Sequence, residues 1–137
     1  MIIYIASSWK NQHAVEMLTS ELRNRGHKVN SFVEKAIKDE GRGLEFDVVK
    51  WIESNDGERK FEYDTRCATT ANIVIYVGPS GTDAWAEVGA AWAKGVPILG
   101  LWAKGEPAGL MRRMVHWYSG YINLLTGVAE YGRRIHK

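Results

Sequence analysis

The chain carries a single cysteine, Cys67, among 137 residues, so no internal disulfide can staple it. A reducing setting, the cytoplasm, is therefore expected. No run approaches the roughly 18 apolar residues that cross a membrane. The N-terminal MIIYIASSWK has no basic stretch ahead of a long apolar one, so neither a membrane partner nor an export signal is expected. The four histidines, His13, His27, His116 and His136, never pair at metal-ligand spacing, and no metal site or cofactor is expected. No Gly-x-Ser-x-Gly elbow is present, which removes support for a hydrolase triad. Charge of one sign is scarce as well: 18 basic against 16 acidic residues leave a net charge of +2. The basic residues of the last quarter, Arg112, Arg113, Arg133, Arg134 and Lys137, are interrupted by apolar ones. They form no stripe of the kind that tracks a nucleic acid.

What is present is ordinary for a globular protein: 45% hydrophobic and 25% charged residues. Residues 1–137 read as one domain, long enough to bury a core without covalent staples. Six tryptophans are many for this length. They suit flat organic ligands, although cores and oligomer interfaces use them more often.

Elements alternate in type along the chain. Residues 2–6 (IIYIA) form an apolar run closed by Ser7-Ser8 and predict a buried strand. Residues 11–25 place Ala14, Val15, Leu18 and Leu22 on one helical face, with Gly26 as the stop. Residues 28–33 (KVNSFV) predict a second strand, and 34–43 a polar loop. A short helix follows to about Ser54, with Asn55-Asp56-Gly57 as a break and another helix over 58–70. Residues 73–77 (IVIYV) are β-branched without alternation, which suits a central parallel strand. A helix over 83–94, a strand over 97–101, and helices over 110–117 and 122–131 complete the chain. The sum is α/β: an open parallel sheet with helices on both faces, a flavodoxin- or Rossmann-like three-layer sandwich. Such folds bind ligands beyond the carboxyl ends of their strands. Three loops, residues 6–11, 78–83 and 102–109, therefore come under suspicion.

Within 78–90 (GPSGTDAWAEVGA) a strand hands over to a helix through a Gly-rich turn. Ser80 and Thr82 are candidate caps, and Ser80 and Asp83 stand at capping-box spacing. The exposed backbone N–H groups of such a turn suit an anion or a polar ligand oxygen. Asp83 and Glu87 are four apart and share a face. The plainer reading is a capped surface helix with two solvated acids. Asp64 falls among Phe61, Ala68 and Ala71, on the inward stripe of its helix, where an acid must be paired or used. Arg66, Arg42 or another nearby base would pair it. Tyr4 sits between Ile3 and Ile5 in a core strand, where packing with a satisfied hydroxyl is usual. Ser7, Ser8, Lys10 and Asn11 lie where that strand meets a helix, a place for sugar or phosphate contacts as well as for capping.

Read together, these segments resemble the nucleoside 2-deoxyribosyltransferase family. The stretch IYIASSWKN resembles its opening strand, and SGTDAWAEVGAAWAKGVPILGL resembles its Gly-Thr-Ala-x-Glu-x-Gly helix with the strand that follows. Asp64 sits where the family carries an aspartate before its third strand, which is entered here through Ala71-Asn72 rather than Ala-Asp. Glu87 falls on the family's nucleophilic glutamate. The family's aspartate six residues earlier is replaced by Gly81, between Ser80 and Asp83. A serine in this turn occurs in relatives that take nucleoside 5′-monophosphates.

The resemblance implies cleavage or transfer at the N-glycosidic bond of a nucleoside or nucleotide. Glu87 would trap the sugar as an ester, Asp64 would help protonate the departing base, and Tyr4 would hold Glu87. Trp9 would cover the base, while Ser7, Ser80, Gly81 and Asp83 would hold sugar hydroxyls or a 5′-phosphate. A homo-oligomer is implied too. Two rivals stand beside this reading: an NAD-type glycohydrolase like the TIR-like enzymes, which also use a helix glutamate, and a nucleotide-binding module without catalysis.

Overall fold

The computed structural model describes residues 1–33 and 48–135. Five strands, β1 (Ile2–Ala6), β2 (Lys28–Ser31), β3 (Ile73–Val77), β4 (Ile98–Leu101) and β5 (His116–Tyr118), form one sheet in the order β2-β1-β3-β4-β5. Every pairing is parallel. The helices between them are α1 (Gln12–Asn24), α2 (Val48–Glu53), α3 (Asn55–Thr70), α4 (Thr82–Ala93) and α5 (Tyr121–Ile135).

Alternation along the strands divides the core in two. Ile3, Ile5, Ile73, Ile75 and Leu99 face one side, with Val15, Leu18 and Leu22 of α1 and Leu124, Leu125 and Val128 of α5. Tyr4, Ala6, Val74, Tyr76 and Ile98 face the other, with Cys67 and Ala68 of α3 and Ala84, Val88 and Ala91 of α4. All five residues of β3 are buried, as a central parallel strand requires. From β1 the chain winds one way to β2 and the other way to β3, β4 and β5. The switch in strand order thus falls between β1 and β3, and the crevice lies beyond Ala6 and Val77. Among the described residues, no helix is long and apolar enough to cross a membrane.

Three elements differ from the sequence expectation. Residues 110–117 do not form an α-helix. Leu110–Met114 is a 3₁₀ turn, and His116–Tyr118 is a fifth strand that pairs with Leu99, Gly100 and Leu101. The spacing of Leu110, Met111, Met114 and Trp117 mimics a helical stripe, and three residues of strand are too few to show alternation. The short helix does end before Ser54, but Asn55-Asp56-Gly57 already forms the first turn of α3: the Ser54 hydroxyl accepts from the Gly57 N–H at 3.1 Å, and Asp56 and Glu58 occupy the positive end of the helix dipole. A Cβ at Gly57 would stand 2.1 Å from the Trp51 carbonyl oxygen, so glycine here permits the tight corner from α2. The second strand stops at Ser31, and Phe32 and Val33 turn inward as buried helical residues. The expected loop over 34–43 lies outside the described residues.

Gly100 has a comparable role in β4. A Cβ there would meet Val115 Cγ1 at 2.6 Å and Trp117 Cζ3 at 2.9 Å. The glycine lets the β5 side chains lie across the strand. Gly100→Ala is expected to lower stability by about 1–3 kcal/mol through overpacking, measured by urea unfolding, with a change in tryptophan emission because Trp117 must move.

Candidate functional site

Helix α4 buries Ala84, Glu87, Val88 and Ala91, the positions i, i+3, i+4 and i+7 of one stripe. Glu87 is thus a core position occupied by a carboxyl, only 8% exposed. Tyr4, fully buried in β1, donates its hydroxyl proton to Glu87 Oε2. The phenol and the carboxyl satisfy each other where neither has water. The Glu87 carboxyl is pushed up to about 8, chiefly by burial and further by the negative charge of Asp64, against the pull of the Tyr4 hydrogen bond. Burial and the same two carboxylates hold the Tyr4 phenol well above its ordinary range.

Asp64, one turn along the inward face of α3, pairs with Lys60 rather than with Arg66: the ammonium lies 2.6 Å from both carboxyl oxygens. Lys60 is itself buried, and its ammonium lies 5.7 Å from the Phe32 ring centroid. Arg42, the other base considered from sequence, lies outside the described residues. Burial raises the Asp64 carboxyl, against the pull of Lys60, and Asp83 raises it further. Asp64 thus feels the charge of Asp83, and Glu87 those of Asp64 and Asp83, with Lys60 as the cation acting on both. Lys60 carried no sequence signal, because a lysine four residues before an aspartate reads as a surface pair. Only the packing of α3 against α4 and β1 removes it from water.

The remaining expected residues divide. Trp9 is 38% exposed and packs edge-on against Phe32 at 5.5 Å, which places it at the same corner as Lys60. Ser7 turns inward. Its hydroxyl donates to the Val77 carbonyl at 2.6 Å and accepts from Asn11 Nδ2, which also donates to the Pro79 carbonyl at 2.7 Å. These bonds lace the ends of β1 and β3 together. Ser8 caps the 3₁₀ turn Trp9–Asn11 by accepting from the Lys10 N–H. Ser80 caps nothing: its hydroxyl donates to Tyr76 Oη at 2.9 Å. The cap residue of α4 is Gly81, without a side-chain bond. Asp83 is exposed in the first turn of the helix.

A second tyrosine–carboxyl pair flanks α4 on its other side, and sequence reasoning missed it. Tyr76 donates to Glu106 Oε1, and the other oxygen of Glu106 accepts from the Ala103 N–H at 3.2 Å. Burial and Glu106 push the Tyr76 phenol up to about 12. A Cβ at Gly78 would collide with Glu106, so the glycine makes room for this acid. The loop over 102–109 was marked as ligand-facing, but nothing local singled out Glu106. Among the described residues no group of three His, Cys, Asp or Glu side chains is arranged to hold a metal ion.

The site is thus that of a doubly wound α/β protein with an acid from the helix after β3 brought to the switch point. Comparison with known proteins agrees on the architecture. No family model and no curated protein matches the chain. Solved structures do. A 2-deoxyribosyltransferase from Bacillus psychrosaccharolyticus superposes with a TM-score of 0.64 at 22% identity, over 88% of this chain and 87% of that one. A CMP N-glycosidase from Clostridium botulinum gives 0.61 at 17% identity, over 94% and 99%. A conserved protein from Enterococcus faecalis V583 gives 0.61 at 12% identity, over 98% of each chain. At these identities the likeness is one of fold.

Two stability measurements probe the site. Lys60→Met leaves Asp64 without its counter-charge and is expected to cost about 3 kcal/mol at pH 8. The cost is expected to shrink as pH falls, because burial already raises the Asp64 carboxyl and protonation removes its unpaired charge; urea unfolding at pH 8 and at successively lower values checks it. Glu87 has a folded pKa raised above its ordinary 4.5, to about 8. Its protonated form therefore favours folding, and that contribution is lost as pH rises through about 8. Glu87→Gln removes the charged form, so its Tm is expected to exceed the wild-type value by several degrees at pH 9. At pH 4 the two should melt together.

Proposed function

We propose that this protein cleaves or transfers at the N-glycosidic bond of a nucleoside, deoxynucleoside or nucleoside 5′-monophosphate, with Glu87 as nucleophile. The observation that carries the reading is the buried Glu87 carboxyl, held by Tyr4 at the β1/β3 switch point. A solved 2-deoxyribosyltransferase and a solved CMP N-glycosidase of the same fold support it.

The chemistry follows from charge. The bond between the sugar's anomeric carbon and the base nitrogen breaks with positive charge building on the sugar. A carboxylate fixed beneath that carbon stabilises the charge more in the transition state than in the ground state. Glu87 then forms an ester to the anomeric carbon as the base leaves. In the reactive form Glu87 is the carboxylate and the one proton of the acid pair sits on Asp64, which passes it to the base nitrogen as the base leaves. In the second step water or another base attacks the anomeric carbon. The ester bond breaks, Glu87 leaves as carboxylate, and the nucleophile's proton returns to Asp64. Tyr4 orients Glu87 throughout and offsets part of its burial. Lys60 positions Asp64. Trp9 and the turn around Ser80, Gly81 and Asp83 border the crevice and would meet the base and sugar.

One observation favours the binding module without catalysis: Lys60 engages both oxygens of Asp64. Chromatography of reactions containing deoxynucleosides, nucleoside 5′-monophosphates or NAD, with and without an acceptor base, separates the readings. Base release or exchange is expected from one of the first two substrate classes, and Glu87→Ala is expected to lower it by at least about 10³-fold while remaining folded. Product from NAD alone would point to the glycohydrolase. Binding without product from any substrate would leave the module.

A further inference from the structure

We propose that the cleft between Trp85 and Arg112 is a second ligand site, separate from Glu87, for a small organic anion carrying a flat apolar group. The cleft has a volume of about 290 Å³ and is lined by Trp85, Pro107, Ala108, Leu110, Met111 and Arg112, with Gly109 at its backbone. Its size is that of a small-molecule site. Most of the lining is apolar, and one fixed cation interrupts it.

The cation is what makes the cleft more than a dent. The Arg112 guanidinium carbon lies 3.7 Å from the Trp102 ring centroid and 5.0 Å from that of Trp117. Trp117 in turn packs edge-on against Trp102 at 5.0 Å, and its indole N–H donates to the Arg112 carbonyl at 3.0 Å. The arginine is therefore held in place before any ligand arrives, so little side-chain entropy remains to be lost on binding. Among the described residues no carboxylate pairs with it, and its Nε is buried without a hydrogen-bond partner. Glu106, the acid nearest to it in the sequence, is committed to Tyr76 and the Ala103 N–H. A guanidinium presented this way matches a phosphate or carboxylate through paired N–H···O bonds. Trp85 offers an aromatic wall for the rest of the ligand, and Leu110, 80% exposed, and Met111, 59% exposed, stand at the rim.

The geometry separates this site from the crevice at Glu87. Trp85 and Glu87 are two residues apart on α4, so they point roughly 200° apart around its axis. Glu87 faces Tyr4 of β1, whereas Trp85 packs on Tyr76 at 4.7 Å and on Trp117 at 6.3 Å. The assignment does not depend on Glu87 being a nucleophile.

Calorimetric titration with phenyl phosphate tests it, with inorganic phosphate and benzoate in parallel. Phenyl phosphate is expected to bind one per chain and about tenfold tighter than inorganic phosphate, because only it fills the apolar wall. Benzoate binding through the same arginine also supports the site, and the ratio of the two aryl ligands tells a phosphate preference from a carboxylate one. Arg112→Met is expected to weaken binding at least about tenfold, and Glu87→Gln to leave it within about twofold. Arg112→Lys keeps the charge but loses the fork; it is expected to bind more weakly than wild type and serves if Arg112→Met fails to fold. No binding of either aryl anion by the wild type up to about 10 mM, equal affinity in a folded arginine variant, or loss of binding in Glu87→Gln would each overturn the proposal.

Discussion

The hydrogen bond between Tyr4 and Glu87 is the constraint on which the rest of this site depends. A carboxyl on the inward stripe of a helix is costly to bury, and here the phenol of the neighbouring strand is its partner. That bond joins β1 to α4 across the face of the sheet. It also sets the electrostatics of the corner. Burial raises the Glu87 carboxyl to about 8, and the charges of Asp64 and Asp83 push it the same way. Lys60, drawn into the core beside them, is the compensating cation. A carboxyl poised in this way responds strongly to positive charge developing next to it, which is what the departure of a base from a sugar produces.

Placement by the sheet is what makes the constraint useful. With the order β2-β1-β3-β4-β5, the two strands that carry Tyr4 and Tyr76 adjoin at the point where the winding reverses. Both tyrosines face the α3/α4 side, because residues 4 and 76 both take the alternate position of their strands. Each meets a carboxyl, Glu87 on one side of α4 and Glu106 on the other. Ser7 and Asn11 then tie the strand ends together, so the crevice has a fixed floor.

Much of this was legible in the sequence, and what was not has local causes. IVIYV read as a central strand because nothing polar interrupts it. Glu87 stood out through its motif, and Tyr4 and Asp64 because polar groups in apolar patterns need partners. β5 was hidden, since three residues leave no room for a period and the preceding turn imitates a helical stripe. Ser80 looked like a cap, yet its hydroxyl is drawn to Tyr76, a residue that only the turn after β3 brings within reach.

By itself the sequence determined the parallel α/β architecture and the strand cores. These follow from apolar periodicity and turn chemistry, which act over a few neighbouring residues. Tertiary structure alone decided which groups meet. Lys60 becomes the partner of a half-buried Asp64, Glu106 closes over Gly78, and Arg112 stacks on Trp102 with Trp117 beside it. Those pairings follow from how helices and loops dock on the sheet. Desolvation then turns side chains that look like ordinary surface charges into the groups that define the site.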